Sequence, residues 1–367
     1  MTLKTATATI DLKALENNFQ YIKQKAPHSK VMAVLKANAY GHGLACIAQA
    51  LGSEQCQADA FGVARIDEAL ALRTSGVVKP IVLLEGFFDN KDLEMLAVND
   101  FQTIIHNKQQ LDAICSDNLV LERPLKVWLK IDTGMHRLGI NPEEFSHYYQ
   151  KLKASNNVHD AIILMSHLGC ADDLNNIATT QQLALFEEIT SELGEERTLA
   201  NSAGVCAWPQ TYYQWIRPGL LLYGVSPMQQ LSHDINEHIH PVMTLQSSLI
   251  AIRQLKKGEF VGYGGAWQSS QDTTIGVIAI GYGDGYPRHA KNGTPVLLNG
   301  RLVPLVGRVS MDMITVDLGA NSQDNVGDIA TLWGKGLAVE EIAQWSTTIP
   351  YELLCNITRR VQMAIAE

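Results

Sequence analysis

The 367-residue sequence contains no Cys-X-X-Cys pair; Cys46, Cys56, Cys115, Cys170, Cys206 and Cys355 stand far apart. This spacing argues against a zinc site or a disulfide framework, and it predicts reduced, mostly buried thiols with no bound metal. Positive charge is also scarce. The chain has 29 Lys and Arg against 38 Asp and Glu, a net charge of −9, and lacks the basic stripe needed to neutralise phosphate backbones, so a nucleic-acid partner is excluded. Residues Met1 to Ile10 alternate Thr and Ala around no long apolar core; neither a signal peptide nor a membrane anchor is expected, and a cytoplasmic location follows. No Gly-X-Gly-X-X-Gly follows an early strand, which removes support for a dinucleotide-binding sheet.

What remains is an ordinary globular composition, 46% hydrophobic and 18% charged, long enough for one large domain and one smaller one. Between residues 31 and 217, eight short runs of branched aliphatics alternate with amphipathic stretches, the pattern of repeated strand-helix units. The runs are Val31 to Leu35, Ala60 to Ala64, Ile81 to Leu84, Phe101 to Ile105, Leu125 to Ile131, Ala161 to Ser166, Thr198 to Ser202 and Trp215 to Arg217. Leu12, Leu15, Phe19 and Ile22 precede them at helical spacing, with Asp11 as the expected N-cap.

Eight such units predict an α/β fold, a closed (β/α)8 TIM-type barrel with functional residues at the C-terminal strand ends, and leave an open sheet as the rival. After about residue 235 the texture becomes all-β. Val242 to Ile252, Thr274 to Ile280, Thr294 to Leu298, Arg301 to Val306, Asp312 to Leu318 and Ile329 to Leu332 read as strands, and only Val339 to Trp345 has clear helical spacing. The expected domains are a barrel over residues 1–234 and a smaller, mostly β C-terminal domain over 235–367, with Thr5 to Ile10 available to pair into the latter.

Lys36 closes the first apolar run and leads into Ala37-Asn38-Ala39-Tyr40-Gly41-His42-Gly43. A lysine there is either a snorkelling residue just past a strand or a Schiff-base lysine, made nucleophilic when burial or a nearby cation lowers its pKa. Its surroundings resemble the pyridoxal-phosphate signature of the alanine racemases. The resemblance continues through Lys130-Ile131-Asp132-Thr133-Gly134-Met135-His136-Arg137, Ser166-His167, Asn201-Ser202-Ala203-Gly204, Arg217-Pro218-Gly219, Gly262-Tyr263-Gly264, Gly281-Tyr282-Gly283-Asp284-Gly285-Tyr286-Pro287-Arg288 and Ser310-Met311-Asp312. It spans essentially the whole chain.

That resemblance implies an eight-stranded barrel followed by a β domain, in a fold-type III enzyme that uses pyridoxal phosphate to interconvert L- and D-alanine. It implies a homodimer in which the partner's C-terminal domain completes each active site. Lys36 would bond the cofactor, while Tyr40, Asn201, Ser202, Tyr351 and the backbone at Gly219 and Leu220 would surround its phosphate end. Arg217, with His167 beside it, would face the pyridine nitrogen; a guanidinium cannot cede a proton to that nitrogen at neutral pH, so the ring becomes a weaker electron sink.

Racemisation moves a proton off one face of a planar carbon and onto the other, which suits two bases. The resemblance gives these roles to Lys36 and to Tyr263 of the partner subunit. It sets Lys130 beside Arg137, with carboxylation of Lys130 by carbon dioxide relieving their repulsion, and it assigns substrate contact to Arg137 and the Met311 amide. Tyr282, Tyr286, Arg288 and Asp312 would line an entryway. Three other readings stand beside this one: a broader-specificity amino-acid racemase, a decarboxylase on the same architecture, and a vitamin-binding protein of the barrel-only kind, which lacks a C-terminal β domain.

Overall fold

The computed structural model describes residues 4–228 and 232–366, and they fall into two compact units. The described residues of Glu16–Ala39 and Gly43–Ile239 form one; those of Met1–Leu15, Tyr40–His42 and His240–Glu367 form the other. Among the described residues no helix is long and apolar enough to cross a membrane.

The first strand, β1 (Thr7–Ile10), belongs to the β-rich unit. The other unit is a closed parallel barrel of β2 (Lys30–Val34), β3 (Ala60–Val63), β4 (Ile81–Leu83), β5 (Phe101–Ile105), β6 (Val127–Lys130), β7 (Ile163–Met165), β8 (Arg197–Thr198) and β9 (Trp215–Ile216). Closure is made by β9 returning to β2, with Lys30 opposite Trp215 and Val31 opposite Ile216. All eight expected runs overlap a barrel strand, the seventh only at Thr198, and the last two strands keep only two residues each. Ser202, expected at a strand end, instead opens the helix Ser202–Ala207, because Asn201 turns the chain and accepts the Gly204 N–H as N-cap. Asp11 likewise caps the helix Leu12–Lys25 through the Ala14 N–H at 2.8 Å.

Alternate residues of the barrel strands point inward. Met32, Ala60, Val82, Ile104, Trp128, Ile163, Met165 and Trp215 meet there as one buried cluster, with Leu84 packed against it. Trp128 and Trp215 touch edge to face, centroids 5.3 Å apart. Each indole N–H has a partner, Gln102 at 2.8 Å and Glu196 at 2.6 Å, so the barrel is plugged by side chains rather than hollow.

In the β-rich unit the long strand β10 (Met243–Leu255) is the spine. It pairs with β1, with β13 (Thr273–Ile278) and with β17 (Ile329–Trp333), and its register shifts near Leu245 and near Leu249 let it serve different partners along its length. The strands β11 (Phe260–Val261) and β12 (Trp267–Gln268) form a small separate ribbon. The strands β14 (Pro295–Leu298), β15 (Arg301–Pro304) and β16 (Ile314–Asp317) extend the sheet, and β18 (Gln362–Ile365) lies parallel to β1. The six expected strands are all present. Sequence periodicity missed β18, β11, β12 and the helix Pro350–Cys355, each too short to show a period. The cysteine expectation needs correction: all six are free, but only Cys56 is buried, four are half-buried and Cys355 is exposed.

Candidate active site

The same alternation that fills the barrel also builds the site. Two residues beyond Trp128 comes Lys130, two beyond Met165 comes His167, two beyond Trp215 comes Arg217, and two beyond Ile104 comes His106. Each continues an inward-facing row one layer toward the C-terminal strand ends, where the apolar plug stops and polar groups begin. Lys36 follows β2 at the same end.

Arg217 is buried and held by its acceptors. Its guanidinium donates to Ser166 O at 2.6 Å, to Leu199 O at 3.2 Å and to Thr198 Oγ1, and lies 3.3 Å from His167 Nδ1. Burial pulls its pKa down to about 9, which leaves it charged at neutral pH. A guanidinium only donates, so Nδ1 of His167 is the acceptor and the ring proton of neutral His167 is assigned to Nε2. Desolvation, then the positive charges of Arg217, Lys130, Arg137 and Lys36, push His167 well below the ordinary histidine value, although part of its surface stays open.

Lys130 is also buried. Its pKa falls to about 7, first through desolvation and then through Arg217, Arg137 and Lys36, with Asp132 opposing. Near neutrality a sizeable fraction of this amine is therefore unprotonated, unlike an ordinary lysine. His106, which sequence reasoning passed over, is lowered by burial and by Lys130 among other causes; its Nε2 meets Glu85 O at 3.0 Å. Period-two counting from Ile104 would have found it.

The loops above the strands are pinned from beneath. Asp132 Oδ1 accepts the N–H groups of Gly134, Met135 and His136 at 3.0 to 3.1 Å, shaping the turn that carries exposed Arg137. Buried Gln182 donates to Thr133 Oγ1 and His167 O and accepts the Gly169 N–H, joining two of these loops. Ser202 Oγ accepts the N–H groups of Gly219 and Leu221 at 2.9 and 3.3 Å, which ties the turn after Arg217 to the helix begun by Asn201. Leu220 is buried.

Lys36 is half-buried and introduces the least ordinary backbone of the site. Ala37, Asn38, Ala39 and Tyr40 have φ of 54, 56, 54 and 51°, four non-glycine residues in the left-handed region. Each costs about 1–2 kcal/mol, with Asn the cheapest. The sequence marked a turn here through Gly41 and Gly43, but not this conformation.

Within the β-rich unit, Tyr40 is buried with its ring 5.8 Å from that of Tyr351. Burial, then Tyr351 and Cys355, raise the Tyr40 pKa, so it is a neutral donor. Any side chain at Gly41 would strike the Leu354 carbonyl, since a Cβ would lie 2.1 Å from its oxygen. Tyr263 is 73% exposed on a turn between Gly262 and Gly264, both at positive φ. Met311, 52% exposed, sits where Tyr282 N–H donates to Ser310 O and Gly283 N–H to Met311 O. Arg360, another residue missed in the sequence, bridges Asp284 at 3.1 Å and Asp312 at 2.7 Å. Of the four residues expected at an entryway, Tyr282, Arg288 and Asp312 are exposed. Tyr286 is buried, stacked on Trp333.

A crowd of cations with an amine at its edge calls for a ligand that is both anionic and electrophilic. Comparisons with known proteins agree with that chemistry. The family models "Alanine racemase, N-terminal domain" and "Alanine racemase, C-terminal domain" match residues 10–227 and 242–365. The alanine racemase of Vibrio cholerae is 56% identical over 363 residues, 99% of this chain and 98% of that protein. The crystal structure of the biosynthetic alanine racemase of Pseudomonas aeruginosa superposes with a TM-score of 0.94 at 40% identity, covering 100% of both chains. The structure of the alanine racemase of Acinetobacter baumannii gives 0.92 at 35% identity, over 99% of this chain and 100% of its own. The chain belongs to the alanine racemase family, isomerases that depend on pyridoxal phosphate.

Proposed function

We propose that this protein interconverts L- and D-alanine, with Lys36 Nζ serving one face of the substrate Cα and Tyr263 Oη of the partner subunit serving the other. The observation that carries this reading is the cation cluster around the barrel's C-terminal strand ends, where Lys36, Lys130 and Arg217 all act on His167. Such a field fits a pyridine aldehyde, because it offers charged donors to the ring and a nearby amine to the carbonyl, while neutral groups are left for the phosphate end. When bound, pyridoxal phosphate supplies a ring that withdraws electrons and stabilises negative charge at Cα.

The chain's own residues do the rest. Lys36 binds the cofactor, removes the proton from D-alanine and returns it in the reverse direction. Tyr263 of the partner subunit does the same for L-alanine. Arg217 would donate to the ring nitrogen without giving up its proton, and His167 would offer its Nε2–H to lower the cost of a phenolate. Ser202, Asn201, Gly219, Leu220, Tyr40 and Tyr351 would hold the phosphate end. Arg137 and the Met311 amide would orient the substrate carboxylate, and exposed Tyr282, Arg288 and Asp312 would restrict the approach to small amino acids, with buried Tyr286 beneath them. An amine with a pKa near 7 is the form that adds to carbon dioxide, releasing one proton, so Lys130 becomes an anionic carbamate that steadies Arg137. The working unit is a homodimer, and six free cysteines suit a reducing cytoplasm.

A chiral assay with L- and D-alanine, read beside the visible spectrum, tests the proposal. Lys36→Ala is expected to lose the yellow colour and to lower turnover by at least about 10⁴-fold. Retained turnover, or equal turnover of bulky amino acids by the wild type, would remove the assignment to alanine.

A further inference from the structure

The left-handed run after Lys36 needs outside support, and two side chains grip it. Asn38 Oδ1 accepts the Leu44 N–H at 2.9 Å, a link within the same segment. Glu68 reaches it from a different strand-helix unit, in the first turn of the helix Ile66–Thr74. One carboxylate oxygen, Oε2, accepts the N–H groups of Ala64 and Arg65 at 2.9 and 3.2 Å, which is the glutamate's half of a capping box and suffices to cap its own helix, Arg65 having no acceptor to return. The other oxygen, Oε1, accepts the Ala37 N–H at 2.7 Å. Ala37 is both the residue next to Lys36 and the first of the four left-handed positions.

We infer that Glu68 is a positioning residue for the reaction: its carboxylate ties the amide beside Lys36 to the loop after β3 and so sets where the Lys36 amine emerges. This rests on reading Lys36 as the lysine that binds the cofactor. The division of labour between the two oxygens supports it. A cap needs an acceptor toward Ala64 and Arg65 only, whereas a carboxylate gripping both loops fixes one against the other. Charge-assisted bonds from a half-buried carboxylate are strong enough to hold a backbone that three residues of type Ala, Ala and Tyr do not favour by themselves.

The experiment uses the full-length enzyme and the variants Glu68→Ala, Glu68→Gln and Glu68→Ala with Ala37→Gly. In Glu68→Ala, amide exchange over residues 36–44 of the cofactor-free chain should quicken by about tenfold, the worth of one charge-assisted hydrogen bond, while the strands β5 to β7 keep their rates. Cofactor uptake should weaken and kcat should fall by about the same factor, with KM for alanine moving less. Glycine at position 37 enters the left-handed region without strain but restores no tie to the loop after β3, so the double variant should stay impaired in kcat. Glu68→Gln, which keeps one acceptor oxygen, should fall between wild type and Glu68→Ala, and carries the test if the alanine variant does not fold. Wild-type exchange and kcat in Glu68→Ala, or wild-type kcat restored by Ala37→Gly without the carboxylate, would overturn the inference that the tie between the two loops positions Lys36. Borohydride trapping and peptide mapping of the wild type separates the two ideas. A label away from Lys36 sinks the reading of Lys36, whereas a label on Lys36 with an unchanged Glu68→Ala sinks the role of Glu68.

Discussion

The barrel and the β-rich unit present their chemistry in opposite ways. At the barrel's strand ends Arg217 and Lys130 are buried, and Arg217 is held by three acceptors that fix its position. In the β-rich unit Tyr263 and Met311 stand more than half exposed on turns with little around them. A buried, bonded group is organised by its own chain. An exposed phenol between glycines gains its surroundings only against another surface, which is the physical content of the proposed dimer.

The sharpest way to break this contrast is Tyr263→Phe. Because the side chain is exposed, stability should change by no more than about 0.5 kcal/mol, yet racemisation should drop about 10²–10⁴-fold with loss of one base. Deuterium exchange into alanine from D2O would show the asymmetry, persisting from the D isomer and failing from the L isomer. Wild-type rates in both directions would end the two-base reading.

Arg217→Met tests the other side. It leaves buried carbonyls at Ser166 and Leu199 without this donor, so unfolding in urea should show a loss of about 3 kcal/mol or more, far beyond any exposed-turn substitution. A midpoint within error of wild type would mean that the barrel site is no more organised than the turn.

The last test reads a slope, small over any one pH unit. Lys130 has a folded-state pKa near 7, below its ordinary 10.5, so between these values the unfolded chain binds the extra proton. Stability should therefore rise with pH across that window by up to about 1.4 kcal/mol per unit, in carbonate-free buffer, and be lost as pH falls toward 7. Comparison with Lys130→Met by chemical denaturation isolates this contribution. Equal slopes in the two proteins would show an ordinary lysine.

The contrast also explains what could be read in advance. Barrel strands were legible because alternation and short apolar runs record burial directly, and the same count of two places Lys130, His167 and Arg217 on inward rows. Motif resemblance supplied Tyr263 and Met311, which periodicity could not, since their surroundings are turns. Glu68, Gln182 and Arg360 escaped both methods, and Asp132 was quoted in a motif without its role. Glu68, Gln182 and Arg360 act on partners distant in sequence, and a single Glu or Gln on a helix reads like any other polar surface residue. The left-handed run at Ala37–Tyr40 was hidden for a related reason: three of its four residues have no preference for that region, and it persists through contacts made elsewhere.

The two indoles at the barrel's centre have a further consequence. With Trp128 and Trp215 interlocked and their N–H groups tied to Gln102 and Glu196, the tube is a blind alley. Whatever meets Lys130 and Arg217 arrives and departs past the same strand ends. A solution to packing at the centre of the barrel thus fixes the side from which its buried cations can be approached.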